Sequence, residues 1–116
     1  MRGLFWPKDA RIRRRADFQL VYENGVRFAG PYFSAVCLKV EGQGRGRVGF
    51  ATPKSLGGSV VRNRLRRRLR EAVRLSLAGL GPEWMVVVQA RRPALKATFR
   101  DLGMEVEKLF SRCARS

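Results

Sequence analysis

Hydrophobic positions along this chain change their period repeatedly, and each change predicts an element. Phe18, Val21 and Tyr22 fall at i, i+3 and i+4 between Asp17 and Asn24, the spacing of one face of a short helix. Gly25 follows, and is expected to end that helix in a left-handed conformation. A helix so short persists only when docked. From Tyr32 to Val40 the side chains alternate between two faces in a stretch rich in aromatic and branched residues, as in a strand. Glu41–Gly46 reads as a flexible turn and Arg47–Thr52 as a second strand, so the two predict a hairpin. Gly25–Phe28 reads as a further short strand.

Ser59 is the expected N-cap of a longer helix reaching about Ala78, with Gly79 and Gly81 beyond it. Val61, Leu65, Leu69, Ala72 and Val73 form its apolar stripe. Trp84–Ala90 reads as a central strand covered on both faces. Thr98 caps a final helix, with Asp101 at its third position and Phe99, Leu102, Val106, Leu109 and Phe110 as its stripe. The order predicts an α/β (α+β) sandwich: helices packed on a small mixed sheet. A basic arm, residues 1–14, leads into a single domain, residues 15–116.

Charge then narrows the function. The 116 residues carry 25 Lys and Arg against nine Asp and Glu, a formal charge of +16, while 45% hydrophobic content supports a folded core. Such a charge repels itself in the compact state, and a polyanionic partner relieves it. Nucleic acid is the first expectation. The longest apolar run, Trp84 to Val88, is far too short to span a bilayer, and Leu4-Phe5-Trp6 is too short for a signal-peptide core. A cytoplasmic location is therefore expected. Cys37 and Cys113 have no ligand-rich neighbours and the chain has no histidine, so both read as packing residues in a reducing compartment rather than a disulfide or zinc ligands.

Between Arg62 and Arg74 one helix holds Arg62, Arg64, Arg66, Arg67, Arg68, Arg70 and Arg74 against a single acid, Glu71. Arg62, Arg66, Arg70 and Arg74 repeat every four residues, so like charges stack along one side and destabilise the helix. A merely solvated face would intersperse Glu and Lys. Guanidinium is the cation that bridges two phosphate oxygens or stacks on a base, and Asn63 adds an amide beside the row. Phe18 and Tyr22, close to the arginines of the arm, suit unpaired bases, although aromatics at this spacing also serve as core. The acids are scattered: Asp101, Glu105 and Glu107 are the nearest to a set, and ordinary solvated charge explains them. With no histidine as general base and no carboxylate cluster for metal-dependent hydrolysis, no catalytic residue is expected in the protein, and any associated reaction belongs to its partner.

The stretch Arg47–Glu71, with Arg62-Asn63-Arg64 inside it, resembles the signature of the bacterial ribonuclease P protein subunit. Pro7–Phe18 continuing to Val21-Tyr22 and Gly25 is similar to that family's first helix, and Trp84–Val88 with Arg91-Arg92 to its last strand and exit. The resemblance covers roughly residues 7 to 110. It implies an α-β-β-β-α-β-α order with a left-handed crossover at the arginine helix, a sandwich also found in ribosomal and translation proteins. It further implies a subunit of an endoribonuclease that removes the 5′ leader of precursor tRNA, with catalysis carried by an RNA partner and magnesium bound mainly by that RNA. Carried over by position, Lys54, Arg62, Asn63, Arg64, Arg66, Arg67 and Arg70 contact the catalytic RNA. Phe18 and Tyr22 line a leader cleft, facing Val36 and Phe50. Ser55 stands where the family often has a second lysine, and Val36 where it often has a larger residue. A ribosomal RNA-binding protein is the competing reading, and a basic membrane-surface or DNA-compacting protein a third; neither calls for this ordered set of motifs.

Overall fold

The computed structural model of the protein describes residues 10–115. Three helices, α1 (Arg15–Asn24), α2 (Ser59–Ser76) and α3 (Phe99–Arg115), accompany four strands, β1 (Val26–Ala29), β2 (Phe33–Lys39), β3 (Arg47–Ala51) and β4 (Trp84–Ala90). The chain order is α-β-β-β-α-β-α, as expected, and the sheet is mixed with spatial order β1-β2-β4-β3. Most of the basic arm, residues 1–9, lies outside the described residues.

The expected β2–β3 hairpin does not form. β4 inserts between the two strands, antiparallel to β2 and parallel to β3, and the hairpin is instead β1–β2. The reason lies in β4 itself: Met85, Val86, Val87 and Val88 are all buried, so this strand needs cover on both faces and a paired neighbour on both sides. Residues 40–46 therefore bridge a gap of two strand spacings, roughly 10 Å. Gln43 ties that connection to the start of β4 by donating from Nε2 to the Pro82 and Trp84 carbonyls at 3.2 and 3.1 Å.

Alternation divides the side chains of the sheet into two cores. On one face Phe33, Ala35, Cys37, Val48, Val86 and Val88 meet Leu65, Leu69 and Val73 of α2 and Leu102, Val106 and Phe110 of α3. On the other, Val36, Met85 and Val87 meet Val21 of α1 and Ile12 of the arm, with Phe18 packed at the margin. Cys37 and Cys113 are both free and buried beside one another, and the hydrogen bond between them, helped by burial, pushes the Cys37 thiol well above its usual range.

Several local expectations change. Gly25 is extended, φ −85° and ψ 168°. Its role is close approach, because a Cβ there would lie 2.6 Å from Val36 Cγ1 and 2.7 Å from the Val21 carbonyl oxygen. Val61 and Phe99 are each 40% exposed and drop out of their stripes, both lying in the first turn of a helix where the sheet no longer covers it. Gly58, not Ser59, is the N-cap of α2. At α3 the cap is as expected: the Asp101 amide donates to Thr98 Oγ1 at 3.0 Å. Thr98→Ala should cost about 0.5–2 kcal/mol of stability, read by urea unfolding with an unchanged m-value.

Candidate nucleic-acid interface

The arginines of α2 separate by helical geometry. Leu65, Leu69, Ala72 and Val73 face the core, which places Arg62, Arg66 and Arg70 along the flank that borders β3 and turns Arg64 and Arg67 outward. Arg62 Nε donates to the Gly57 carbonyl at 3.1 Å. Arg66 donates to Asn63 Oδ1 at 2.7 Å and to Thr52 Oγ1 at 2.8 Å. Arg68, on the opposite flank, holds the Ala97 carbonyl at 2.5 Å and so joins α2 to the start of α3. Arg74 pairs with Glu71, and that bond holds the Glu71 carboxyl below its usual range. Arg64 and Arg67 are exposed and make no hydrogen bond among the described residues. Arg62 and Arg66 spend few of their five donors internally, so both retain donors for a ligand.

The N-terminus of α2 lacks a side-chain cap, and its unpaired amides add positive potential to the same end. Lys54 is exposed in the short 3-10 turn Lys54–Leu56 just before it. Arg92 fixes that turn by donating to the Ser55 carbonyl at 2.7 Å.

Across the sheet, α1 sits over β2 and β4. One flank carries Asp17, which accepts from Arg47 at 3.4 Å; Arg47 also donates to the Arg11 carbonyl at 3.1 Å, pinning arm, helix and β3 together. The other flank carries Phe18 and Tyr22. Phe18 leans over Gly49, where a Cβ would lie 2.8 Å from the ring. Tyr22 is 39% exposed; partial burial raises its phenol pKa, opposed in part by the nearby charge of Arg27. Beyond this flank the register aligns Ala29, Ser34, Gln89 and Ala51 across all four strands. None of them is buried. A strip of small and polar side chains is therefore left open beside the two aromatics.

Val36 and Phe50 do not face this strip together. Val36 is 2% exposed beneath α1, sealed by Val21 and Gly25. Phe50 pairs in register with Val88 and so points to the α2–α3 face, packing on that core, while also lining a cavity at the β3 edge together with Phe18. Strand parity puts them on opposite sides of the sheet. Sequence reading also missed Arg11 and Ile12. The arm makes a parallel bridge to Val48, the Ile12 amide donating to the Val48 carbonyl at 3.0 Å, and Ala10 and Ile12 are buried. The alternation Ala10, Arg11, Ile12, Arg13 was the available signal.

The family model for Ribonuclease P matches residues 6–114. The chain belongs to the ribonuclease P protein family. A ribonuclease P protein component of Symbiobacterium thermophilum is 43% identical over 105 residues, covering 90% of this chain and 91% of the relative. One from Exiguobacterium sibiricum is 35% identical over 90% of each. The ribonuclease P protein structure from Thermotoga maritima aligns with a TM-score of 0.79 at 25% identity, over 88% of this chain and 96% of that one. That from Staphylococcus aureus gives 0.77 at 26%, over 91% and 95%. The role of the chain accordingly lies in tRNA 5′ processing.

Gly49 controls where Phe18 lies. Gly49→Ala should cost about 1–3 kcal/mol through overpacking against Phe18 and Ile12. Thermal unfolding reads the cost, and displaced Phe18 ring resonances should accompany it.

Proposed function

We propose that this chain binds the catalytic RNA of ribonuclease P through α2 and the 5′ leader of precursor tRNA along the open strip beside α1, while the RNA carries the hydrolysis. The observation that carries this reading is the meeting of the two surfaces: Arg66 and Arg70 of α2 and Phe18 of α1 line one cavity at the β3 edge. Exposed Arg64 and Arg67, with Lys54, Arg62, Asn63, Arg66 and Arg70, offer phosphate contacts to a folded RNA. Phe18 and Tyr22 offer stacking faces to unpaired bases, and Ser34 and Gln89 offer hydrogen bonds without blocking the strip.

Protein and RNA then divide the work. The chain orients the leader and neutralises phosphates, and the RNA supplies the reacting groups. Magnesium enters as the RNA's ion. Among the described residues no group of three His, Cys, Asp or Glu side chains converges, and this reading assigns the protein no metal-binding role. Among the described residues no helix is long and apolar enough to cross a membrane, and the proposed site of action is the cytoplasm, where precursor tRNA is made.

Reconstitution tests the reading. The protein alone should leave precursor tRNA intact and, mixed with ribonuclease P RNA, should restore leader removal at low magnesium. Phe18→Ala should weaken precursor binding to the complex by about five- to a hundred-fold and hardly change mature tRNA binding. Equal loss for both tRNAs, or a stability loss of about 3–5 kcal/mol as for a truncated core aromatic, would assign Phe18 to packing alone. Cleavage by the RNA-free protein would overturn the division of labour.

A further inference from the structure

The cavity at the β3 edge has a volume of about 160 Å³ and is lined by Arg11, Arg13, Phe18, Gly49, Arg66 and Arg70 among others, with no acidic residue among the described ones in its wall. Arg11 comes from the arm and Arg66 and Arg70 from α2, so elements far apart in sequence deliver like charges to one point. Arg11 Nε is buried and has no hydrogen-bond partner among the described residues, an arrangement that costs stability. The Arg70 guanidinium is held below its usual pKa, first by burial and then by the charges of Arg11, Arg66 and Arg67. Three close cations, one with an unused buried donor, describe a site built for an anion that carries several acceptor oxygens.

We propose that Arg11, Arg66 and Arg70 form a single phosphate seat that takes one phosphodiester of single-stranded RNA, with an adjoining base stacked on Phe18. The inference rests on the RNA-binding reading above and changes it at one place: Arg66 and Arg70, placed there with the folded RNA, are assigned together with Arg11 of the arm to one nucleotide step of the single strand. Arg66 is preset for the task, because its bonds to Thr52 and Asn63 fix the guanidinium plane before a ligand arrives. Arg11 is fixed by the pairing of its neighbour Ile12 to Val48. An aromatic ring beside the cations favours a nucleotide over an acidic peptide, which would leave the Phe18 face without a partner. The seat also joins the arginine flank of α2 to the open strip, so a strand lying along the strip would be gripped where it reaches the helix.

The test uses the full chain and a short unstructured RNA oligonucleotide, with Arg11→Ala, Arg70→Ala and the double variant. Each single substitution should weaken oligonucleotide binding about tenfold, and the double should lose far less than the product of the two, because both residues serve one phosphate. Losses that multiply would mean separate contacts and overturn the seat. Arg11→Ala should unfold at the same temperature as the parent or higher, since it removes a repelled, unpaired donor. If it unfolds lower, Arg11→Gln, which retains most of the stem, replaces it in the same cycle under the same criterion. Inorganic phosphate should shift the Arg11 Nε–H resonance saturably, and the oligonucleotide should shift it at much lower concentration. An oligoglutamate peptide that matches the oligonucleotide would overturn the nucleotide assignment. Association of the parent with ribonuclease P RNA is measured alongside: its loss would defeat the proposed function itself, whereas intact association with no effect at Arg11 defeats the seat alone.

Discussion

The structure depends on burying β4 on both faces. Met85 and Val87 point one way and Val86 and Val88 the other, and all four are closed off. At about 25 cal/mol per Å² of apolar surface removed from water, neither side of such a strand can be left open. That requirement recruits α2 and α3 to one face and α1 with the arm to the other. It also moves β4 into the middle of the sheet, making β3 an edge strand next to the arginine helix. The arrangement of the proposed binding surfaces is a consequence of where β4 must go.

Opposing this burial is a charge pattern that works against folding. α2 accumulates like charges at four-residue spacing, and the fold tolerates them by giving several a structural task. Arg62 holds the loop before the helix, Arg66 holds the end of β3 through Thr52, Arg68 holds the entry to α3, and Arg74 is offset by Glu71. What remains outward, Arg64 and Arg67, is exposed to water and less costly to keep. The sharpest conflict is at Arg11, Arg66 and Arg70, where hydration is partly lost and no acid among the described residues lines the cavity. A chain selected for stability alone would place a carboxylate there. Its absence among the described residues is what the proposed phosphate seat accounts for.

Helices and strands were largely legible because each rests on local periodicity. α2 needed the stripe of Leu65, Leu69, Ala72 and Val73, and α3 needed Thr98 and Leu102, Val106, Leu109 and Phe110; both are where those patterns put them. Pairing was less legible, since β2 and β3 are neighbours in sequence and the competing partner, β4, arrives more than thirty residues after β3. Gly25 was recognised as a helix stop for the wrong reason: the tight contact with Val36 is tertiary and leaves no local mark. The candidate site divides in the same way. The basic row could be read from spacing, and Phe18 and Tyr22 do share the flank expected of them. Val36 and Phe50 could not be placed without register, because a strand reveals alternation but not which set faces which helix. The strip Ala29, Ser34, Gln89 and Ala51 is assembled from four strands and has no sequence signature at all.

The edge strand β3 joins these themes. An exposed edge invites pairing with other chains, and proteins protect it with cover or charge. Here the arm supplies both, for Ile12 bonds to Val48 along the edge while Arg11 and Arg13 bring charge beside it. The same hydrogen bond that blocks unwanted strand pairing also positions Arg11 next to Arg66 and Arg70. Removing the arm would therefore do two things at once: expose backbone donors and acceptors of β3 and withdraw a cation from the place where α1, α2 and the sheet meet. Protection of the edge and recognition of an anion are not separate features of this fold, because the backbone of one short segment provides the first and its side chains provide the second.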